Sequence, residues 1–356
     1  MGLFRLLLAF CVVLSHGLNL PIPAARAEVA VQTFYIVSGF YMALVLTEKY
    51  SDYSVYFTNR LLRLYPAYLA VLGVTLAHSL LRWLIGRSAN EPGLLAYETH
   101  FAPLDLASKT YLVATNLLLW GQDIAMFLEV SPDGSSLNFT TNFMESHQPL
   151  VEQFLLVPQS WSLSIELMFY LLAPWLVRRA TGVLVAIIAA TVAGRLALAS
   201  IGLSFDPWTY RFFPIEIGSF VLGMVIYRSM RRRHDSTTLR RLATGGLIAA
   251  TLLLSLLPDV WITRVLFYGY CAWALPMAFQ LTRHNALDRY LGELSYPIYL
   301  CHLLVISVAL YSHWSGLALA VLIVILIGGT AIALHEGIQK PVDRYRASRV
   351  AAAARD

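Results

Sequence analysis

The sequence is poor in charged residues and in cysteine. Only 13% of its 356 residues are charged, against 58% that are hydrophobic, a balance that excludes an ordinary soluble domain and is typical of a polytopic membrane protein. The three cysteines, Cys11, Cys271 and Cys301, lie in apolar stretches without CxxC or metal-ligand spacing. We therefore expect neither a disulfide framework nor a zinc site.

The net charge of +5 does not indicate a nucleic-acid partner, because the basic residues cluster between apolar segments and so report membrane topology. If segment 109–128 stays on one side of the membrane, 19 of the 26 lysines and arginines fall on the opposite side. The positive-inside rule therefore favours about ten spans, both termini in the cytoplasm, and 109–128 as a re-entrant or surface-lying element. The predicted spans are residues 3–20, 31–47, 65–85, 159–177, 183–201, 211–229, 243–257, 262–282, 294–310 and 316–335.

These spans predict an all-α polytopic membrane protein. Its membrane domain covers residues 1–345 and includes a large outer connection at about 86–158. Residues 346–356 are expected to form a short cytoplasmic tail.

The first apolar segment carries two ionisable residues, Arg5 and His16. They are eleven residues apart, so on a helix they share a face and lie about 16 Å apart along the axis. Arg5 can stay near one surface while His16 reaches the middle of the bilayer, where ionisable groups are often functional. Alternatively, Arg5 is a topology anchor and His16 a packing residue. The residues at 25–27 imitate a signal-peptide cleavage site, but the apolar run continues to Leu20, which favours an uncleaved span.

Two short motifs follow in the next segments. Ser38 and Gly39 are small residues that allow close helix packing in the second span, with a functional role as the alternative. Arg60 and Arg63, in the predicted connection before the third span, are three residues apart and share one helix face. Paired guanidinium groups suit phosphate, although a lipid-headgroup anchor explains them equally well.

The stretch WSLSIE at 161–166 places a carboxylate inside an apolar helix. Ser162 and Glu166 are four residues apart and therefore share a face, with Trp161 and Ser164 beside them. A buried carboxylate needs a partner. That partner is either a substrate or catalytic group, or a structural one, namely an ion pair with Arg195 or a hydrogen bond to another span.

The ninth span carries a second polar face. Ser295, Tyr299 and His302 fall at positions i, i+4 and i+7. A second buried histidine could act beside the first, or it could form a structural hydrogen bond between helices.

Together these motifs resemble the integral-membrane acyltransferase type 3 family. The resemblance rests on Arg5-x10-His16, Ser38-Gly39-Phe40, Arg60-x2-Arg63, WSLSIE at 161–166 and SYPIYLCH at 295–302, and it covers essentially the whole chain. It implies a stand-alone acyltransferase in a bacterial inner membrane. Such an enzyme transfers an acyl group, usually acetyl, from cytoplasmic acyl-CoA to a hydroxyl of a sugar, polysaccharide or glycolipid, without a metal. One departure is Gln339, where family members often carry glutamate.

The resemblance also implies roles for individual residues. His16 would take the proton from the attacking hydroxyl, since imidazole can accept a proton near neutral pH. Glu166 and His302 would order that imidazole or contact the acceptor. Whether the acyl group passes directly or through an acyl-histidine stays open. Arg60 and Arg63 would hold the phosphates of CoA. Arg5 would either contact CoA or act as a fixed positive charge that keeps His16 neutral. The supporting residues, which would contact substrate or hold the site, are Ser38, Trp161, Ser162, Ser164 and Tyr299.

The alternative is a transporter or flippase of a lipid-linked sugar, with the same polar groups lining a permeation path. The sequence shows no internal repeat and no paired Gly/Pro-broken helices in corresponding halves, which disfavours that alternative. The acceptor, the acyl length and the oligomeric state are left open by the sequence.

Overall fold

The computed structural model describes residues 1–16, 24–50, 52–85, 94–231 and 235–353. Within these ranges the protein is mainly α-helical, with one small antiparallel sheet. A π-helical turn, His335–Gln339, joins the last two helices. The elements are α1 (Gly2–Ser15), α2 (Ala27–Glu48), α3 (Tyr53–Leu84), α4 (Leu94–His100), α5 (Leu106–Leu118), β1 (Leu128–Val130), β2 (Leu137–Phe139), α6 (Trp161–Leu176), α7 (Thr181–Ser200), α8 (Phe213–Met230), α9 (Thr237–Leu253), α10 (Trp261–Thr282), α11 (Ala286–Ala309), α12 (Gly316–Leu334) and α13 (Lys340–Ala353).

The helices have the length and composition of membrane spans. In the described part of the chain, seven helices are long and apolar enough to cross a bilayer, and α1 is a shorter apolar helix. Each apolar segment predicted as a span overlaps one of the helices, and residues 17–20 of the first segment lie outside the described residues. The chain is thus an α-helical integral membrane protein, as predicted.

The connection between α3 and α6 departs from the all-α prediction. Helix α5 has 13 residues, a rise of about 20 Å that falls short of the bilayer core of about 30 Å, and it ends at Leu119 in the left-handed region. Strands β1 and β2 follow as a hairpin. The side chain of Asp133 stabilises the turn of this hairpin, because it accepts hydrogen bonds from Ser131 Oγ at 2.6 Å and from Ser135 N at 3.1 Å. Three residues are too few to show the alternation of apolar and polar residues by which a strand is recognised in a sequence.

Helix α3 begins earlier than the span predicted at 65–85. Asp52 caps it, because its side chain accepts a hydrogen bond from the backbone amide of Ser54 at 2.7 Å. The helix also continues through Pro66. Arg60 and Arg63 therefore lie on the first turns of α3, which begins within the stretch predicted as the connection between two spans.

Close backbone packing positions the helices around the interior. A side chain at Gly2 would overlap the backbone carbonyl of Asp288 at the start of α11, while the ring of His16 lies 5.2 Å from that of His302. Helices α1 and α11 therefore run parallel. Helix α2 approaches α8 at Gly39, where a Cβ would overlap the carbonyl oxygen of Phe220. The prediction of close packing at Ser38-Gly39 is confirmed.

We expect Gly39→Ala to lower the free energy of unfolding by about 1–3 kcal/mol, because the added methyl must push α2 away from α8. The measurement is thermal unfolding of the purified protein in detergent. Gly73→Ala is the matched control, since a Cβ at Gly73 in α3 meets no atom within 4 Å. Equal unfolding midpoints for the two variants would contradict the packing argument.

Candidate active site

A cavity of about 660 Å³ lies between α1, α2, α3, α6, α11 and α13. Its volume is in the range of small-molecule and cofactor sites. One end, here called the basic end, is lined by Met1, Tyr50, Arg60, Arg63 and Arg346. The opposite end, here called the inner end, is lined by Phe34, Tyr35, Ser162 and Tyr299.

Basic side chains outnumber acidic ones along the cavity wall, which favours an anionic ligand. The basic residues are Arg5, Lys49, Arg60, Arg63, Arg283, Arg289 and Arg346, and the acidic ones are Glu166, Asp288, Glu293 and Asp343. The predicted CoA-binding residues Arg5, Arg60 and Arg63 therefore line one cavity.

Arg60 is buried, with 5% of its surface exposed. Its guanidinium group lies 5.7–5.8 Å from the ring centroids of Tyr50, Tyr56 and Tyr170. Its Nη2 donates a hydrogen bond to the hydroxyl of Tyr50 at 3.2 Å, but its Nε has no partner in the described residues. Arg63, one turn further along α3, is half-buried on the same wall. Among the described residues, aromatic rings and a hydroxyl surround the Arg60 charge and no carboxylate pairs with it, which leaves it available to an anion.

Glu166 lies in the middle of the cavity wall and accepts two hydrogen bonds on Oε1. The donors are Ser38 Oγ at 2.6 Å and Tyr170 OH at 2.5 Å. The hydrogen bond to another span is thus observed, because Ser38 lies on α2. The alternative ion pair between Glu166 and Arg195 was wrong, since Arg195 pairs with Glu216 at 2.8 Å.

Hydroxyl groups concentrate at the inner end of the cavity. Ser162 Oγ and the hydroxyl of Tyr299 lie 2.6 Å apart, and Tyr299 also donates to the carbonyl of Gln159 at 2.9 Å. The hydroxyl of Tyr35 is buried without a hydrogen-bond partner in the described residues. A buried hydroxyl of this kind is costly unless a ligand satisfies it.

The two predicted histidines meet just beyond the inner end. His302 is fully buried, and its ring lies 5.8 Å from that of Tyr299 on the cavity wall. Nδ1 of His302 lies 2.7 Å from the Tyr299 carbonyl, and Nδ1 of His16 lies 2.7 Å from the Val12 carbonyl. A carbonyl oxygen only accepts, so each Nδ1 carries a proton, and in its neutral form each ring has Nε2 as its basic nitrogen.

Backbone carbonyls, and not Glu166, therefore fix the tautomer of both imidazoles. His16 is exposed at the end of α1, whereas Nε2 of His302 has no partner in the described part of the chain. The pair thus combines one accessible base with one buried base.

Two of the predicted supporting residues face away from the cavity. Ser164 donates to Asp123 Oδ1 at 2.7 Å and accepts from the amide of Gly121 at 2.9 Å. Burial raises the pKa of Asp123, although the Ser164 hydrogen bond opposes this. Trp161 packs with its ring 4.4 Å from the guanidinium of Arg211. Both residues join α6 to the connections that surround its first turn.

The sequence reasoning missed residues that complete the cavity. Arg346 and Asp343 of α13 line the basic end, and Asn59 and Tyr50 contact the arginines there. The (i, i+3) spacing of Asp343 and Arg346 was a usable helix signal. In the described residues no group of three or more His, Cys, Asp or Glu side chains is placed to hold a metal ion.

The fold and the site define an α-helical membrane protein with a basic, ligand-sized cavity that ends beside two histidines. The family model described as an acyltransferase domain matches residues 1–334. The chain belongs to the acyltransferase type 3 family and is a membrane acyltransferase. Comparison with curated proteins and with solved structures gave no significant match.

Proposed function

We propose that the protein is an O-acetyltransferase of a bacterial inner membrane. It takes the acyl group from cytoplasmic acetyl-CoA and transfers it to a hydroxyl of a sugar, polysaccharide or glycolipid. With the predicted ten spans and cytoplasmic termini, the basic end would face the cytoplasm. The observation that carries this proposal is the cavity that runs from a cluster of arginines to Tyr299, whose ring lies 5.8 Å from that of His302, which in turn contacts His16.

The donor fits the cavity by charge and by length. The phosphates of CoA match the basic end, where guanidinium groups can form charge-assisted hydrogen bonds to them. The thioester arm would extend past Arg5 and Glu166 toward the inner end. The helical rise from Arg5 to His16 is about 16 Å, which separates the charged part of the donor from the reacting carbonyl.

The chemistry uses Nε2 of His16 as a general base. It removes the proton of the acceptor hydroxyl while the oxygen attacks the thioester carbonyl. The C–S bond then breaks, and the departing CoA sulfur receives that proton from the imidazolium. A direct transfer needs His16 alone as the base, whereas an acyl-histidine route would use the same Nε2 as the nucleophile. Tyr299 and Ser162 lie where they can bind the donor or acceptor.

The test is transfer of radiolabelled acetyl from acetyl-CoA into cell-envelope glycans by membranes that contain the protein. We expect label in a saponifiable ester fraction, and only in membranes that contain the protein. Membranes from the same host without it are the control. A failure to label with several acyl-CoAs, combined with protein-dependent movement of a lipid-linked sugar, would favour the transporter alternative.

A further inference from the structure

Helix α13 forms one wall of the basic end, although it lies beyond the residues that match the family domain. Asp343, Arg346 and Ala347 of this helix line the cavity. Asn59 fixes α13 against α3, because its side-chain amide donates a hydrogen bond to the carbonyl of Arg346 at 3.2 Å. Residues 346–353, assigned to a short tail from the sequence, are therefore helical, and the first two of them contribute to the site.

Arg346 adds a third guanidinium group to Arg60 and Arg63. Its side chain is 11% exposed, and both of those arginines repel its charge. Its acidic partner is Asp343, three residues earlier on the same helix. Nε of Arg346 and Nε of Arg60 are both buried without a hydrogen-bond partner in the described residues. Like charges with unsatisfied donors are costly to hold together unless an anion binds between them.

Tyr50 lies in the positive electrostatic field of Arg60 and Arg346. Its hydroxyl accepts hydrogen bonds from Arg60 Nη2 and from Asn59 Nδ2, each at 3.2 Å. Burial by itself raises the pKa of Tyr50, but the charges of Arg60 and Arg346 and these hydrogen bonds outweigh it and bring the pKa below its usual value. The basic end therefore stabilises negative charge.

We propose that α13 completes a phosphate-binding site in which Arg346 acts with Arg60 and Arg63. This inference rests on the proposed function, because it takes the phosphate groups to be those of the CoA donor. Arg346 donates to phosphate oxygens from the side opposite α3, so the donor nucleotide is held between α3 and the C-terminal helix. The membrane domain without α13 would lack one side of this site.

The experiment is calorimetric titration of CoA into the full-length protein in detergent. We expect Arg346→Gln to weaken CoA binding about tenfold or more, the effect of losing a hydrogen bond to a charged group. Arg346→Lys keeps the charge but not the two-pronged geometry, so it should recover part of the affinity. Arg344→Gln is the matched control, since Arg344 is exposed on the same helix and should bind CoA like the intact protein.

Two truncated ligands identify the phosphate group. If Arg346 contacts the 3′-phosphate, the variant and the intact protein should bind 3′-dephospho-CoA equally. If Arg346 contacts the diphosphate, the variant should still bind 3′-dephospho-CoA more weakly than the intact protein does, but the two proteins should bind pantetheine equally. Two results would overturn the proposal. One is equal CoA affinity for Arg346→Gln and the intact protein. The other is a loss of pantetheine affinity in the variant as large as its loss of CoA affinity.

The titration separates this inference from the proposed function, because it measures binding without transfer. CoA binding that depends on Arg346 supports the site even if no acetyl transfer is detected. Absence of CoA binding by the intact protein would overturn both the donor assignment and this site. Equal unfolding midpoints for Arg346→Gln and Arg344→Gln will show that both variants are folded.

Discussion

Replacement of His16 by alanine should lower acetyl transfer by a factor of about 10² to 10⁴, the usual contribution of a positioned general base. The imidazole is exposed at the end of α1, and its Nδ1 hydrogen bond goes to Val12 of the same helix. The substitution therefore removes a base without opening a buried gap. The proposed CoA site lies at the basic end of the cavity, away from His16, so the CoA affinity should not change.

The measurement is the initial rate of transfer from labelled acetyl-CoA, together with CoA affinity, in protein matched for amount and folding. His313→Ala is the control, because His313 is exposed in the connection between α11 and α12. A loss in kcat with unchanged CoA affinity places His16 at the chemical step. A rate equal to that of His313→Ala would remove His16 from the mechanism.

Helix positions could be predicted because the sequence contains long apolar runs, and seven of the described helices are long and apolar enough to cross a bilayer. Several site residues could also be predicted, since helical spacing puts Ser162 and Glu166 on one face, and the same holds for Tyr299 and His302. The spacing of residues along the sequence could not predict which residues of different helices contact each other. The hydrogen bond from Ser38 to Glu166 joins residues 128 positions apart in the sequence.

The basic end was the least predictable part of the site. The contact of Asn59 with Arg346 spans 287 positions, and a polar stretch after the last span looks like a tail when no partner is known. The start of α3 was also missed, because the span was predicted to begin at residue 65 whereas the helix begins at Tyr53. Here the cap at Asp52 sets that start instead.

Burial of charge alone does not identify functional residues in this protein. Glu216 is fully buried in α8, yet its donors are all protein groups: Gln32 Nε2 at 2.8 Å, Arg195 Nη2 at 2.8 Å and Ser219 Oγ at 3.2 Å. This cluster lies outside the cavity lining. Arg60, by contrast, lines the cavity with an unsatisfied Nε and no acidic partner among the described residues. The satisfied Glu216 cluster therefore has a structural role, whereas Arg60 combines a position on the cavity wall with an unsatisfied donor.

If the Glu216 cluster is structural, Arg195→Leu should destabilise the fold without changing CoA binding. Removing the guanidinium leaves the Glu216 carboxylate buried with only neutral donors, which should lower the free energy of unfolding by about 1–3 kcal/mol, less than for a fully buried pair because the Arg195 side chain is 40% exposed. The double variant Arg195→Leu with Glu216→Gln should recover much of that loss, because no uncompensated charge remains. Unfolding in detergent measures both effects. The CoA affinity of the folded fraction should stay unchanged, and a double variant no more stable than Arg195→Leu would show that the ion pair does not hold α7 to α8.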